Sequence, residues 1–505
     1  MTPAPDWAGS TRVLLRDGRV LGMPSARAIL IVDDRIAWVG DDTAGIVAEE
    51  VIDLDGAVVA PGFVDAHVHA TSTGLALIGL DLTPADDLDS ALAMITAAAA
   101  RGGVLIGHGW DETRWPQSRP PSRSEIDAAV DGAPAYLSRI DVHSALVSTA
   151  LLDLVPGVHE LDGFSVDGPV TRAAHHAVRE VAQGHVAEER RSDAQRATRS
   201  RAAALGIVAM QEMAGPVISS AEDLRDLLAL ARTEPGPLVH GYWGELAQRG
   251  GIARARELGA IGVAGDLFID GSIGSRTACL RTPYLDEPHS LGAQYLSADE
   301  VQGHVEEASA AGMQAGFHVI GDAATDIVIG ALERAADAVG IDRFRSMRHR
   351  LEHAEMLDAR HLQSLARLGV SVSMQPVFDA LWGGEGGMYE RRLGAQRMRG
   401  MNGFAAIDRA GILMAFGSDA PVTPLGPWQG VDAAMAHHQL DERIGPDAAF
   451  TAHTRAGWQA IGCDDAGMIA AGAQAHLVVW DDLDSRRALR TIVSGCTVHD
   501  SGALS

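Results

Sequence analysis

A closed α/β barrel of the (β/α)8 class, with a small β-sandwich built from both termini and an insertion after the first barrel strand, is the fold this sequence predicts. Three observations lead there. Strand-like runs alternate with helical patterns through the middle of the chain, β-rich stretches flank that middle, and histidines recur at the ends of the runs.

The bulk properties set the frame. At 505 residues the chain exceeds one simple core and calls for a large domain plus a smaller one. A hydrophobic content of 47% with 21% charged residues belongs to a globular chain, not a disordered one. No apolar run reaches the roughly 20 residues that cross a bilayer. The opening MTPAPDWAGSTRVLLRDG lacks a basic stretch followed by an apolar one, so a cytoplasmic location is expected. Cys279, Cys463 and Cys496 are scattered and odd in number, which argues against a disulfide framework and against a cysteine metal site. A formal charge of -26 disfavours nucleic acid and anionic membranes as partners. A small molecule is the expected partner, and a homo-oligomer is left open. All 41 basic residues of the Lys+Arg count are arginines, so no lysine chemistry is available.

Taken in order, the first sixty residues read as short strands broken by turns: TRVLLRDGRV, AILIVDDRIAWVG and VIDLDGAVVAPG. Asp-Gly at 17–18 and 55–56, and Asp-Asp at 33–34, stand where turns are expected. The last forty residues repeat the pattern in AHLVVWDD and ALRTIVSGCTVHDSG. Residues 1–60 and 456–505 are therefore assigned to the β-sandwich, and 61–455 to the barrel. Eight barrel strands are expected at 63–69, 206–213, 237–244, 266–271, 314–321, 348–356, 370–378 and 412–420. Two further runs, VLIGHGW (104–110) and PAYLSRIDVHS (134–144), would make ten, so residues from about 71 to 165 are placed in the insertion. A doubly wound open sheet is the competing arrangement, and the histidines decide against it.

His67 and His69 lie two apart in a strand and share a face. His318 and His353 each fall near the end of a strand, 35 residues apart, and Asp419 ends another. Four imidazoles and a carboxylate can converge at the C-terminal mouth of a barrel, where active sites form. Zinc-type ions favour that ligand set. Any one such histidine is more often a packed core residue than a ligand. Five residues at strand ends, spaced by whole β/α units, are hard to obtain by chance.

The segments PGFVDAHVHA (61–70), GFHVIGDAA (316–324), LEHAEM (351–356), SMQPVF (373–378) and FGSDAPV (416–422) resemble the amidohydrolase superfamily. Within it the chain resembles the amidohydrolase family 3 branch, which includes N-substituted formamide deformylases. DGSIGSRTACL (270–280) and GMIAAGAQAHLVVWD (467–481) belong to the same likeness. The resemblance implies a metal-bearing barrel that hydrolyses amide, formamide or related C–N bonds of a small molecule. It implies metal ligation by His67, His69, His318 and His353, with Asp419 as ligand and general base. Zinc is the expected cofactor, one or two ions per chain, although manganese, iron or cobalt suit the same donors. Deamination, lactone hydrolysis and decarboxylation are alternative reactions of such a site; a non-enzymatic scaffold is a further alternative, disfavoured because the histidines are all present.

Relatives with two metals often carry a carboxylated lysine in a segment like KxFxDG. Here the segment is DLFIDG, with Asp266 at that position and too short to replace a lysine without a large backbone shift. Glu212, ending the second strand, is the alternative bridge between two metals, or else a structural carboxylate. His143 and Trp110, with His108 and Asp111, are candidates for lining the pocket from the insertion, and Asp270, Ser272 and Arg276 for lining it from the loop after the fourth strand. Arg276 could anchor a substrate carboxylate, or form an ordinary loop salt bridge. The pairs His175–His176 and His437–His438 are expected in helices, where neighbours diverge by about 100°, and are read as structural. His476 stands where the family usually has Asp, in the β-domain and away from catalysis.

Overall fold

The computed structural model describes residues 5–7, 12–99 and 104–504. Eight parallel strands form one sheet: β1 (Phe63–Val68), β2 (Ile207–Ala214), β3 (Leu238–Trp243), β4 (Gly262–Val263), β5 (Gln314–Val319), β6 (Arg350–His353), β7 (Ser371–Met374) and β8 (Met414–Phe416). Sequence order equals spatial order, as successive β/α units require. The sheet closes on itself. Asp419 N–H donates to His67 O at 2.7 Å and His69 N–H to Ala420 O at 2.9 Å, joining the end of β1 to the segment after β8. That seam is close. A Cβ on Gly417 would lie 2.5 Å from His67 N, so only glycine fits there.

Seven of the expected strands are found. The fourth is displaced: Gly262–Val263 takes the barrel position, and the expected run at 266–271 is irregular chain with a single bridge from Phe268 to His318. Gly265, at φ +96°, turns the backbone out of the strand just before Asp266. The bend decides the site, as shown below.

The termini build two sheets. One runs Arg35–Gly40, Ala28–Val32, Arg12–Arg16, Glu50–Asp53; the other runs Arg19–Val20, Val58–Pro61, Leu477–Trp480, Ala488–Val493, Cys496–Asp500. The second joins the two ends of the chain, with Val58 opposite Trp480 and Pro61 opposite Leu477. Alternate residues such as Val13 and Leu15, Ile29 and Ile31, and Leu477 and Val479 face inward to a shared core, the period of a half-buried strand. Asp33, at φ +55°, makes the tight turn expected at 33–34. Residues just after 455 still belong to the barrel's packing, because Ala456 and Ala460 of helix Arg455–Ala460 bury against Ala66 and Ala415.

The insertion is a five-stranded sheet in the order Val170–Thr171, Ser144–Val147, Ala135–Arg139, Leu105–Trp110, Leu80–Asp81. It extends past 165, because helix Arg172–Gly184 packs Ala174, Val178 and Ala182 onto Tyr136 and Val147. The next helix, Glu188–Ala204, leads into β2.

Phe63, at the base of β1, joins barrel to sandwich. Its fully buried ring meets Trp428 at 5.0 Å, Phe450 at 5.3 Å and Trp480 at 5.8 Å between centroids, all edge-on. Phe63→Ala is expected to cost about 3–5 kcal/mol of stability, read as a lower midpoint in urea with an unchanged slope.

Candidate metal centre

The site lies at the C-terminal mouth of the barrel. His67 and His69 rise from β1 and the residue after it, His318 from β5, His353 from β6, and Asp419 from the turn after β8. His69 Nε2 lies 3.1 Å and His67 Nε2 3.3 Å from Asp419 Oδ1. Asp266 sits among the same imidazoles: Oδ2 is 3.2 Å from His69 Nε2, and Oδ1 is 3.6 Å from His67 Nε2, 3.5 Å from His318 Nδ1 and 4.0 Å from His353 Nε2. The turn at Gly265 performs the backbone shift that Asp266 needed, so the expectation that this side chain falls short is corrected.

These groups are buried, and their facing atoms are unsatisfied. His67 Nε2, His318 Nδ1, Asp266 Oδ1 and Asp419 Oδ1 have no hydrogen-bond partner. Leaving buried polar atoms unpaired costs about 1–3 kcal/mol each. Cations held within the cluster would relieve that cost. His67, His69 and Asp419 form one group with ligand spacing; His67, Asp266 and His353 form a second that shares His67.

The outward nitrogens are fixed by partners. His67 Nδ1 lies 2.9 Å from Glu352 Oε2, and His353 Nδ1 lies 2.8 Å from Gln375 Oε1. Both acceptors take an Nδ1–H, which leaves each Nε2 bare toward the cluster. Glu352 is itself held by Arg350, whose Nη2–H donates at 2.9 Å. Burial opposes the Glu352 charge, but Arg350 and His67 overcome it and hold the carboxyl at about 2. Burial opposes protonation of His69, but Asp266 and Asp419 pull it up to about 9. The two aspartates thus draw positive charge into the cluster, as a proton or as a metal ion. His353 and Asp419 have left-handed backbones, φ +68° and +54°, conformations that non-glycine residues hold only where surroundings compel them. At His353 the twist turns the side chain toward the cluster although its neighbour Glu352 also faces the interior.

The remaining candidates divide. Glu212 lies beside His69, but its Oε2 accepts from Ala70 N–H at 2.7 Å and it belongs to neither group; burial raises it to about 7. His143 faces the centre, its ring 5.3 Å from that of His318 and 5.6 Å from Phe268; burial first, then His318, lowers its pKa far enough to keep it neutral. Trp110 is corrected: its ring packs among Trp115, Ile126 and Leu137 and its Nε1–H donates to Leu137 O at 2.8 Å, so it is core of the insertion. Asp270 is corrected likewise, because its carboxylate accepts from the N–H groups of Cys279, Ile320 and Gly321 at 2.8–3.0 Å and ties down the loop after β4. Arg276 pairs with Asp286 at 2.8 Å and Glu287 at 3.5 Å, the loop salt bridge and not a substrate anchor. His476 stacks on Trp458 at 4.8 Å, away from the cluster. His108 bridges Ser138 Oγ (3.0 Å) and Pro421 O (2.7 Å).

A chamber of about 30 Å³, room for one water, adjoins the cluster; His143, Ser272, Glu355, Phe378, Trp382 and Tyr389 are among its walls. It shares Trp382, Met388 and Val422 with an open cleft of about 830 Å³ between the insertion and residues 381–391 and 420–425. Glu352, Gln375 and Glu355 escaped the sequence reading although they stand in the quoted segments LEHAEM and SMQPVF. Glu352 and Glu355 stand on either side of His353, whereas Gln375 lies next to no histidine and is marked only by its place at the end of a strand.

A barrel with buried imidazoles and carboxylates converging, unsatisfied, at its C-terminal mouth defines the architecture of metal-dependent hydrolases. The profile of the amidohydrolase family matches residues 50–499, so the chain belongs to that family. It is 29% identical to the YtcJ amidohydrolase of Bacillus subtilis, over 79% of this chain and 77% of that one. It is 26% identical to the N-substituted formamide deformylase of Arthrobacter pascens, over 93% of this chain and 94% of the relative. Protein LONG AFTER FAR-RED 3 of Arabidopsis thaliana is 27% identical, over 95% of this chain and 87% of its own. The fold is shared with an uncharacterized metal-dependent hydrolase from Pyrococcus furiosus, at a TM-score of 0.72 and 24% identity, covering 93% of this chain and 99% of that one. Among the described residues no helix is long and apolar enough to cross a membrane.

Gln375 gives the cleanest test of how the centre is organised. Gln375→Leu keeps volume but deprives His353 Nδ1–H of its acceptor; zinc affinity, measured against a chromophoric chelator, is expected to fall about 10–100-fold. Gln375→Glu should restore it.

Proposed function

We propose that this protein is a metal-dependent hydrolase that cleaves the C–N bond of a small amide, with N-substituted formamides the leading substrate class. The observation that carries the reading is the convergence of buried His67, His69, His318, His353, Asp266 and Asp419, four of which leave a facing atom unsatisfied. The two groups, His67 with His69 and Asp419 and His67 with Asp266 and His353, would hold one or two ions with His318 beside them, and zinc fits the donors best. When bound it would supply Lewis acidity, lowering the pKa of water toward about 7 and polarising a carbonyl.

The chain's own residues do the rest. Asp419 takes the proton of the attacking water on a carboxylate oxygen and returns it to the departing nitrogen as the C–N bond breaks and the C–O bond forms. His143, neutral and facing His318 across the chamber, is placed to donate a hydrogen bond to the substrate oxygen. The chamber has room for only a small reacting group, while the larger cleft receives the remainder of the molecule. Likeness to the formamide deformylase along nearly the whole chain supports the choice of bond.

Purified protein is to be tested on N-substituted formamides, simple amides and lactones, with amine and formate release as readouts. Turnover is expected on the formamides, abolished by a chelator and restored by zinc. Asp419→Asn is expected to lower turnover by about 10²–10⁴-fold. Full turnover by metal-depleted protein sinks the metal reading, and a preference for lactones sinks the C–N assignment.

A further inference from the structure

Outside the barrel mouth, Asp379, His437 and His438 bring three ligand atoms into one small volume. Asp379 lies in helix Pro376–Trp382, which follows β7. The two histidines come just after helix Pro427–Met435, which follows β8, in irregular chain and not in a helix as the sequence led us to expect. That difference matters. In a helix adjacent side chains diverge, whereas here the rings stack, with centroids 4.5 Å apart and planes 27° apart.

Asp379 Oδ1 lies 3.2 Å from His437 Nε2 and in close contact with His438 Nδ1; its Oδ2 accepts from His438 N–H at 3.0 Å. Asp379 and His437 are fully enclosed, and the His438 side chain retains 10% exposure. The Nε2 atoms of both histidines are buried with no hydrogen-bond partner. His437 Nδ1 meets the Gln439 backbone, 3.0 Å from its N and 3.3 Å from its O, which fixes the ring with Nε2 directed at the carboxylate. Both imidazoles crowd one carboxylate oxygen, yet the two Nε2 atoms stay without a hydrogen-bond partner, and a cation among the three would pair them.

We infer that Asp379, His437 and His438 form a second, structural metal site that takes a divalent ion of the zinc class. Two imidazole nitrogens and one carboxylate oxygen supply three of the four tetrahedral positions, and water supplies the fourth at the exposed edge of His438. The site clips the helix after β7 to the loop beyond the helix after β8. The former carries Phe378 and Trp382, two walls of the chamber, and Phe378 lies parallel to the His353 ring at 6.0 Å. The ion therefore holds the apolar side of the chamber in place and takes no part in bond cleavage.

The test counts metal. Protein purified with zinc present is analysed for metal per chain as wild type, as Asp379→Asn, as His438→Gln, and as His67→Asn/His69→Asn. Asp379→Asn keeps the size of the side chain and an acceptor for His438 N–H, so folding is preserved while the charge is lost. Each of the first two variants is expected to hold one zinc fewer per chain than wild type. The barrel-mouth double variant is expected to keep one zinc, and that ion should give the intense visible bands of a tetrahedral site when replaced by cobalt. Wild-type zinc content in both Asp379→Asn and His438→Gln overturns the site. So does a folded His67→Asn/His69→Asn protein that holds no metal. Because the two clusters are emptied separately, failure here leaves the reading of the barrel mouth standing.

Discussion

The seam that closes the barrel is the constraint on which the site depends. Asp65, buried in β1, accepts from Ser418 N–H at 2.9 Å and from His67 N–H at 3.3 Å. Asp419 N–H returns a bond to His67 O, and His69 N–H reaches Ala420 O. Three of the cluster's side chains are thus set by backbone bonds across one join, and their relative positions follow from closure itself. An open sheet would carry the same histidines on edges that never meet. The absent side chain at Gly417 lets the two strands come near enough for this.

Beneath the seam the barrel is polar where a hydrophobic filling is the norm. Arg350 is fully enclosed. It donates to Glu352, to Ala66 O at 2.8 Å and to Gln211, and it lies over the ring of Tyr242 at 5.0 Å. A buried ion pair of this kind repays its desolvation only when every hydrogen finds an acceptor. Here the pair also transmits: Arg350 keeps Glu352 charged, Glu352 fixes the ring of His67, and His67 belongs to both groups of ligands. The interior sacrifices apolar packing to hold one imidazole in one orientation.

The fold was largely legible because short strand-like runs alternate with helical patterns and because histidines fall at the ends of those runs. Seven barrel strands stand where periodicity placed them. The fourth was misplaced for a physical reason: LFI in 267–269 has the composition of a strand, but Gly265 at φ +96° and the close approach of Gly244 to the Asp266 backbone make it a bend. Asp266 was dismissed by the same error, since its reach depends on that bend and not on its length. Glu212 shows the opposite limit. Its strand position was read correctly, yet only the structure shows its carboxylate committed to Ala70 N–H. His437 and His438 were assigned to a helix that ends at Met435, and their stacking could not be seen from spacing.

The insertion explains why arginine, the sole strong cation of this chain, does not line the chamber as a free charge. Arg139 is enclosed and donates to Asp111 at 3.0 Å, Glu112 at 2.9 Å and Asp141 at 2.9 Å, with the ring of Trp110 below it. Asp141 in turn accepts from Ser272 Oγ at 3.0 Å and Ser275 Oγ at 2.7 Å, on the loop after β4. The charge cluster is therefore a fastener between insertion and barrel, and it consumes the guanidinium's donors. Arg276 and Arg392, nearby, are both bound to Asp286. With its neighbouring cations neutralised, the chamber presents Phe378, Trp382 and Tyr389 together with the buried carboxyl of Glu355, which burial raises to about 7. Such walls give the chamber, among the described residues, no free cation of the chain's own, whereas the adjoining cleft is lined by Arg114, Arg201 and Arg391.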